Sequence, residues 1–145
     1  MSWAGAVPMR SPCAFALVVL MNVSTAHADT VAIDVRVENV RPDQGQVRVA
    51  LYDEGSWLGE PVVGEQIDST GASVTLRLQA PASGRYGLAA YQDTNNDGRL
   101  NRNVVGMPSE PTAFSNDAPM NFGPPRFRDA ALDVSAPSQA VLTLR

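Results

Sequence analysis

The chain has 145 residues, with 11 Arg, no Lys, one His and one Cys, and its 15 acidic side chains leave a net charge of −4. That acidic balance argues against nucleic acid and anionic membrane surfaces as partners. A single cysteine excludes an internal disulfide, and the length suits one domain.

In chain order, residues 1–28 read as a cleavable signal peptide. Arg10 gives a small positive start, and translation can begin at Met9 as well as at Met1. Cys13 to Val23 is an apolar run, and Ala26-His27-Ala28 supplies a small-x-small cleavage site, so the mature chain is expected to start at Asp29. The run is shorter than the roughly 20 residues a membrane-spanning helix needs, so no membrane insertion is expected after cleavage. The expected location is periplasmic or secreted. Cys13 and His27, the only Cys and the only His, leave with this segment. The remaining ten Arg face fifteen carboxylates. A chain without Lys, His or Cys cannot build a Ser-His-Asp triad, a thiolate nucleophile, a Schiff base or an imidazole-ligated zinc.

Residues 29–145 are expected to form one β-sandwich domain. Val31, Ile33, Val35 and Val37 alternate with Ala32, Asp34, Arg36 and Glu38, the pattern of a strand with one wet face. Arg41-Pro42-Asp43-Gln44-Gly45 reads as a turn, so Val47 to Tyr52 is expected to return beside the first strand as a hairpin. Val74 to Leu78 alternates in the same way, Pro81-Ala82-Ser83-Gly84 turns into Tyr86 to Tyr91, and Ala130 to Val134 and Ala140 to Leu144 complete the set. Short strands, frequent Pro and Gly and no long helical period point to an all-β fold. The expected architecture is a single antiparallel β-sandwich, transthyretin- or immunoglobulin-like.

Between Asn101 and Arg128 lies a long stretch with five prolines and little alternation. It is expected to be a long ordered loop, since Phe114, Met120, Phe122 and Phe127 can anchor it and Asn116, Asp117 and Asn121 can bond its own backbone. It can cover an open sheet edge or face a ligand.

The most chemically specific segment is Asp93-Thr94-Asn95-Asn96-Asp97-Gly98-Arg99-Leu100-Asn101. Oxygen-bearing side chains at alternate positions followed by glycine suit a hard cation, which takes six to eight oxygens. A Ca²⁺ site here would use Asp93, Asn95 and Asp97 side chains, the Arg99 carbonyl, and Asn101 directly or through water. Position twelve is Val104, where an EF-hand has a bidentate Glu, so a remaining ligand would have to come from elsewhere, Glu110 or Asp117. The other reading is a β-turn in which Asp and Asn cap their own backbone and Gly98 takes positive φ. Both stay open at this point.

Three further features allow alternatives. Asp53-Glu54-Gly55-Ser56-Trp57-Leu58 can contact a sugar or supply half of a glycosidase carboxylate pair, or it is an acidic turn with Trp57 packed over the end of the sandwich. Arg126 and Arg128 can clamp an anion, though strand alternation alone puts both on a wet face. Ser115 has no base to activate it.

The order of Gly45 to Tyr52, the Asn-rich acidic loop, Val105 to Pro111, Phe114-Ser115-Asn116, Gly123-Pro124-Pro125 and Phe127 to Ala130 resembles a family of exported bacterial proteins, domain-of-unknown-function family 2141. The resemblance covers nearly all of residues 29–145. It implies a small β-rich periplasmic or secreted domain and brings no catalytic residues. Gln92 stands where relatives often have His, and Asn101 where they often have Asp. The second departure lowers the charge of any cation site, whose affinity would then be about 10⁻⁴–10⁻³ M.

The expected function is an exported, non-catalytic envelope binding or accessory module with a structural calcium site. Trp57, Tyr91, Phe114 and Asn116 are its expected contact residues, and an envelope protein or glycan its partner. The alternatives are a carboxylate-based or calcium-dependent glycan hydrolase, and a purely structural envelope protein.

Overall fold

A computed structural model describes residues 29–145, and the signal-peptide segment lies outside them. Eight strands form two sheets: β1 Val31–Glu38, β2 Gln46–Tyr52, β3 Val63–Asp68, β4 Ser73–Ala80, β5 Gly84–Asp93, β6 Thr112–Phe114, β7 Ala131–Val134 and β8 Ser138–Thr143. The first sheet has the order β4-β1-β8, with β1 and β8 parallel. The second runs β3-β2-β5-β6, and β7 continues the β6 edge by pairing the other end of β5. The protein is an all-β sandwich with two antiparallel-dominated sheets and no closed barrel. Its helical content among the described residues is one 3₁₀ turn, Ser115–Asp117, and one helical turn, Phe127–Ala130.

Alternation builds the core as expected. Val31, Ile33, Val35 and Val37 of β1 and Leu78 of β4 face Val47, Val49 and Leu51 of β2 and Leu88 and Ala90 of β5, all buried. Burying each of these side chains is worth about 1.5–3 kcal/mol before chain entropy is counted.

The expected β1–β2 hairpin is not formed. β1 pairs β4 and β8, whereas β2 pairs β3 and β5 in the opposite sheet. The Asn39–Gly45 link is an arch between the sheets, with Asn39, Asp43 and Gly45 at positive φ. A hairpin places two apolar faces side by side, and an arch places them face to face across the core. Alternation along each strand is the same in both.

A buried amide clamps that arch. Gln92 is fully buried on the inner face of β5; its Oε1 accepts the Arg41 N–H at 2.9 Å. Its Nε2 donates to the carbonyls of Arg41 (2.7 Å) and Gln44 (2.8 Å), with Ser69 Oγ 3.2 Å away. Gly45 ends the arch just before β2 at φ +65°, where a Cβ would collide with the Asp93 carbonyl.

The long loop is ordered but subdivided. β6, the 3₁₀ turn and the helical turn all fall within it or at its end. β6 covers part of the β5 edge and bonds Arg145 through Thr112 in both directions (3.1 and 3.0 Å). Phe127 is buried, as expected of an anchor, but Phe122 is fully exposed and anchors nothing. Phe122 sits at φ +57°, in a local turn where hydrophobicity does not decide direction. Arg126 and Arg128 do not alternate on a strand, because Phe127–Ala130 is a helical turn.

Gln92→Leu is expected to destabilise the fold by about 2–4 kcal/mol, since it removes the partner of the Arg41 N–H and carbonyl and leaves the arch unclamped. Gln79→Leu, on the exposed face of β4, is expected to stay within about 0.5 kcal/mol. Urea unfolding of both variants measures the difference.

Candidate functional site

The outer face of the five-stranded sheet carries a cleft. Pairing places Gly64, Ala50, Ala89 and Phe114 in one row across β3, β2, β5 and β6. The next row is Gln66, Arg48, Tyr91 and Thr112. On the other side of the small-residue row stands Tyr52. The loops raise walls around this floor: Leu58 and Pro61 after β2, Leu100, Arg102 and Pro108 after β5, and Met120 and Pro124 after the 3₁₀ turn. The cleft they enclose is about 1060 Å³, large enough for a small-molecule ligand.

Two devices hold the walls. Trp57 lies against Gly87, where a Cβ would collide with its ring, and its indole N–H donates to the Pro125 carbonyl at 2.9 Å. Its ring also meets Tyr52 edge-on (centroids 5.6 Å), Phe114 (6.2 Å) and Phe127 (5.8 Å). Trp57 therefore joins the β2–β3 loop to the segment before the helical turn, as the packed-turn reading of its motif anticipates. Asp53 in the same turn accepts the Ser56 N–H at 2.8 Å.

The second device is Asp93, the last residue of β5 and fully buried. Its Oδ1 accepts the Asp97 N–H (3.2 Å), and its Oδ2 accepts the Gly98 N–H (2.8 Å) and the Arg48 Nε–H (3.2 Å). Glu110, also buried, accepts the Thr94 and Asn101 N–H groups at 3.1 and 3.0 Å. Two carboxylates thus shape the Asp93–Asn101 segment from beneath, with Asn96 and Gly98 at positive φ.

The expected cation ligands are brought together in part. The Asp97 N–H is shared between Asp93 Oδ1 and Asn95 Oδ1 (3.2 and 3.3 Å), and Asn95 Nδ2 lies 3.3 Å from Asp97 Oδ2. A carboxylate offers about four lone pairs. Three bonds leave Asp93 one on Oδ1, and Asp97 keeps spare capacity after accepting the Arg99 N–H at 2.9 Å. Glu110 joins the segment; Asp117 instead pairs Arg145 near a second cavity of about 340 Å³. Among the described residues no three His, Cys, Asp or Glu side chains are grouped as a metal centre. The donor set is therefore oxygen-rich but short of charge, and Arg48 already neutralises Asp93.

Of the expected contact residues, Tyr91 and Phe114 line the cleft, Trp57 supports its wall, and Asn116 does not line it. Asn116 donates to the Asp129 and Ala131 carbonyls (3.4 and 2.9 Å) and locks the 3₁₀ turn to the helical turn. Ser115 is buried; its hydroxyl accepts the Leu88 N–H at 2.9 Å and donates to the Ala130 carbonyl. Arg48, Tyr52, Gln66 and the Gly64-Ala50-Ala89 row were not singled out in the sequence. The available signal was their place on the wet face of alternating strands.

The model of one protein family, described as an uncharacterized protein conserved in bacteria (DUF2141), matches residues 35–141. The chain belongs to this family. The match runs from within β1 into β8, so the DUF2141 domain includes both sheets, the cleft and the acidic loop. No curated protein and no solved structure matches the chain.

Burial raises the phenol pKa values of Tyr52 and Tyr91 above the ordinary value near 10, Arg48 partly opposing this at Tyr91 while Asp93, Glu110 and Asp97 add to it. The fold thus favours the neutral phenols. Their contribution to stability is complete below about pH 10 and is lost as pH rises through the raised values. Tyr91→Phe is expected to lose less stability than the parent DUF2141 protein as pH rises above about 10. Urea unfolding across that range reads the difference.

Proposed function

We propose that this DUF2141 protein is an exported, non-catalytic binding or accessory module of the cell envelope, periplasmic or secreted, whose contact surface is the walled cleft. The observation that carries this reading is the floor itself. A strip of Gly64, Ala50 and Ala89 leaves room for a ligand, while Tyr52, Tyr91, Phe114 and Arg48 surround it. Pockets of this size with a few convergent polar groups on an otherwise apolar surface are the usual form of a small-ligand site. An envelope glycan or the side chains of an envelope protein would both meet such a surface.

The hydrolase alternative is less well supported. It asks for Asp53 or Glu54 to face Asp93 or Asp117 across a cleft. Asp93 is buried beneath its own loop, Asp117 pairs Arg145, and neither Asp53 nor Glu54 lines the large cleft. Among the described residues no helix is long and apolar enough to cross a membrane.

The proposal includes a weak structural Ca²⁺ on Asp93, Asn95, Asp97, the Arg99 carbonyl and Asn101, favoured by the approach of the Asp93 and Asn95 Oδ1 atoms to one backbone N–H and of the Asn95 side chain to Asp97. The loop is also a wall of the cleft, through Gly98, Leu100 and Arg102. An ion there would stiffen the ligand surface without touching the ligand.

Two measurements check these statements. In protein-observed ¹⁵N NMR, a fragment library spanning neutral, cationic and anionic ring compounds is expected to shift the amides of Ala50, Ala89, Tyr91 and Phe114 in a saturable way. Hits that map elsewhere, or none, contradict the cleft reading. For the ion, 10 mM Ca²⁺ against EDTA is expected to stabilise the protein by about 1.4 kcal/mol if the dissociation constant is near 1 mM. That is a rise of about 5 °C in melting temperature. Asp97→Asn, which keeps the side-chain acceptor, should abolish the rise; an equal rise in the variant, or none in the parent, removes calcium from the account.

A further inference from the structure

Among the described residues Arg48 is the one cation held on the floor of the cleft. Its Nε is fixed by the buried Asp93 carboxylate at 3.2 Å, and its side chain remains 32% exposed. Among the described residues its two Nη groups have no hydrogen-bond partner. Arg102, also at the rim, spends Nη1 on the Gly106 carbonyl at 3.0 Å. The hydroxyls of Tyr52 and Tyr91 likewise have no partner among the described residues. Glu65 also lines the cleft, at the open edge strand β3, where its pairing with the inward-facing Val49 starts its side chain from the face opposite Arg48.

The floor has definite dimensions. Gly64, Ala50 and Ala89 lie on three adjacent strands, which span about 10 Å at ordinary strand spacing. The flanking rows stand two residues away along each strand, about 7 Å. Such a trough admits one six-membered ring lying flat, with Phe114 closing one end of the small-residue row and Arg48 on the long side beside Ala50. A guanidinium held through Nε presents its two Nη groups as a planar fork, which matches a carboxylate in a bidentate manner.

We infer that the cleft binds a six-membered-ring compound bearing a carboxylate, the ring lying on Gly64, Ala50 and Ala89 and the carboxylate on the Nη groups of Arg48. This rests on the cleft being the ligand surface, and adds the class of ligand. Asp93 acts through Arg48 as a positioning residue. The ring is either aromatic or a sugar; the carboxylate is common to both.

The test uses two matched pairs of probes, benzoate with benzamide and glucuronate with glucose, titrated into the protein and followed by ¹⁵N NMR at Ala50, Ala89 and the Arg48 Nε–H. The carboxylate member of at least one pair is expected to bind at least tenfold more tightly than its neutral partner, and which pair responds tells aromatic from sugar. Arg48→Gln should remove that preference. Arg48→Lys keeps a positive charge beside Asp93, guards against misfolding, and should lose several-fold in affinity with the fork gone. Neutral probes that bind as tightly as the acids overturn the inference while leaving the cleft reading in place. A preference that survives Arg48→Gln also overturns it. If none of the four probes binds, the carboxylate inference falls, and the fragment screen alone decides whether the cleft binds anything.

Discussion

The last residue of β5 carries the constraint on which the site depends. Asp93 is a buried charge, and a buried carboxylate is tolerable only when its lone pairs are met by strong donors. Two of those donors are backbone N–H groups of its own loop, and the third is Arg48 on the neighbouring strand. One side chain therefore ends the strand, curls the acidic loop above the sheet and holds a guanidinium on the outer face. Its neighbour Gln92 points to the opposite face and clamps the arch that joins the two sheets. Two adjacent polar residues, facing opposite ways, thereby link the core of the sandwich to its binding surface.

A sandwich face becomes a cleft only if something rises from its rim. Here three loops do so, and each is fastened differently. The β2–β3 loop is fastened by an indole over Gly87, the acidic loop by Asp93 and Glu110, and the segment after β6 by the Trp57–Pro125 bond and the Ser115 and Asn116 contacts. The floor stays open because small residues meet across three strands. In such a frame loops carry recognition, and the sheet supplies a fixed platform.

The strands that alternate cleanly were legible in the sequence, and with them the inward residues of β1, β2 and β4. Pairing was not legible. Val31 to Val37 and Val47 to Tyr52 read alike whether they lie side by side or face across the core, and only the Gln92-clamped arch distinguishes the two. β3 escaped notice because five of its six residues, Gly64 to Asp68, lack a clear apolar alternation, as suits an exposed edge strand. The cleft was hidden for the same reason as the pairing. Ala50, Ala89 and Gly64 are unremarkable singly and form a trough only once β3, β2 and β5 are placed in register. Arg48 could be assigned to a wet face, but its partner lies 45 residues away in sequence. The acidic loop was legible as a turn rich in oxygen ligands; the burial of Asp93 and the capping role of Glu110 were not.

The most direct measurement of the central claim is a crystal structure of the protein grown in millimolar benzoate and in millimolar glucuronate. The account predicts a ring on Ala50 and Ala89 with its carboxylate within hydrogen-bond distance of both Arg48 Nη groups, and Asp93 still bonded to Arg48 Nε. A cleft that stays empty in both crystals, or a ring seated with its carboxylate turned away from Arg48, would contradict it.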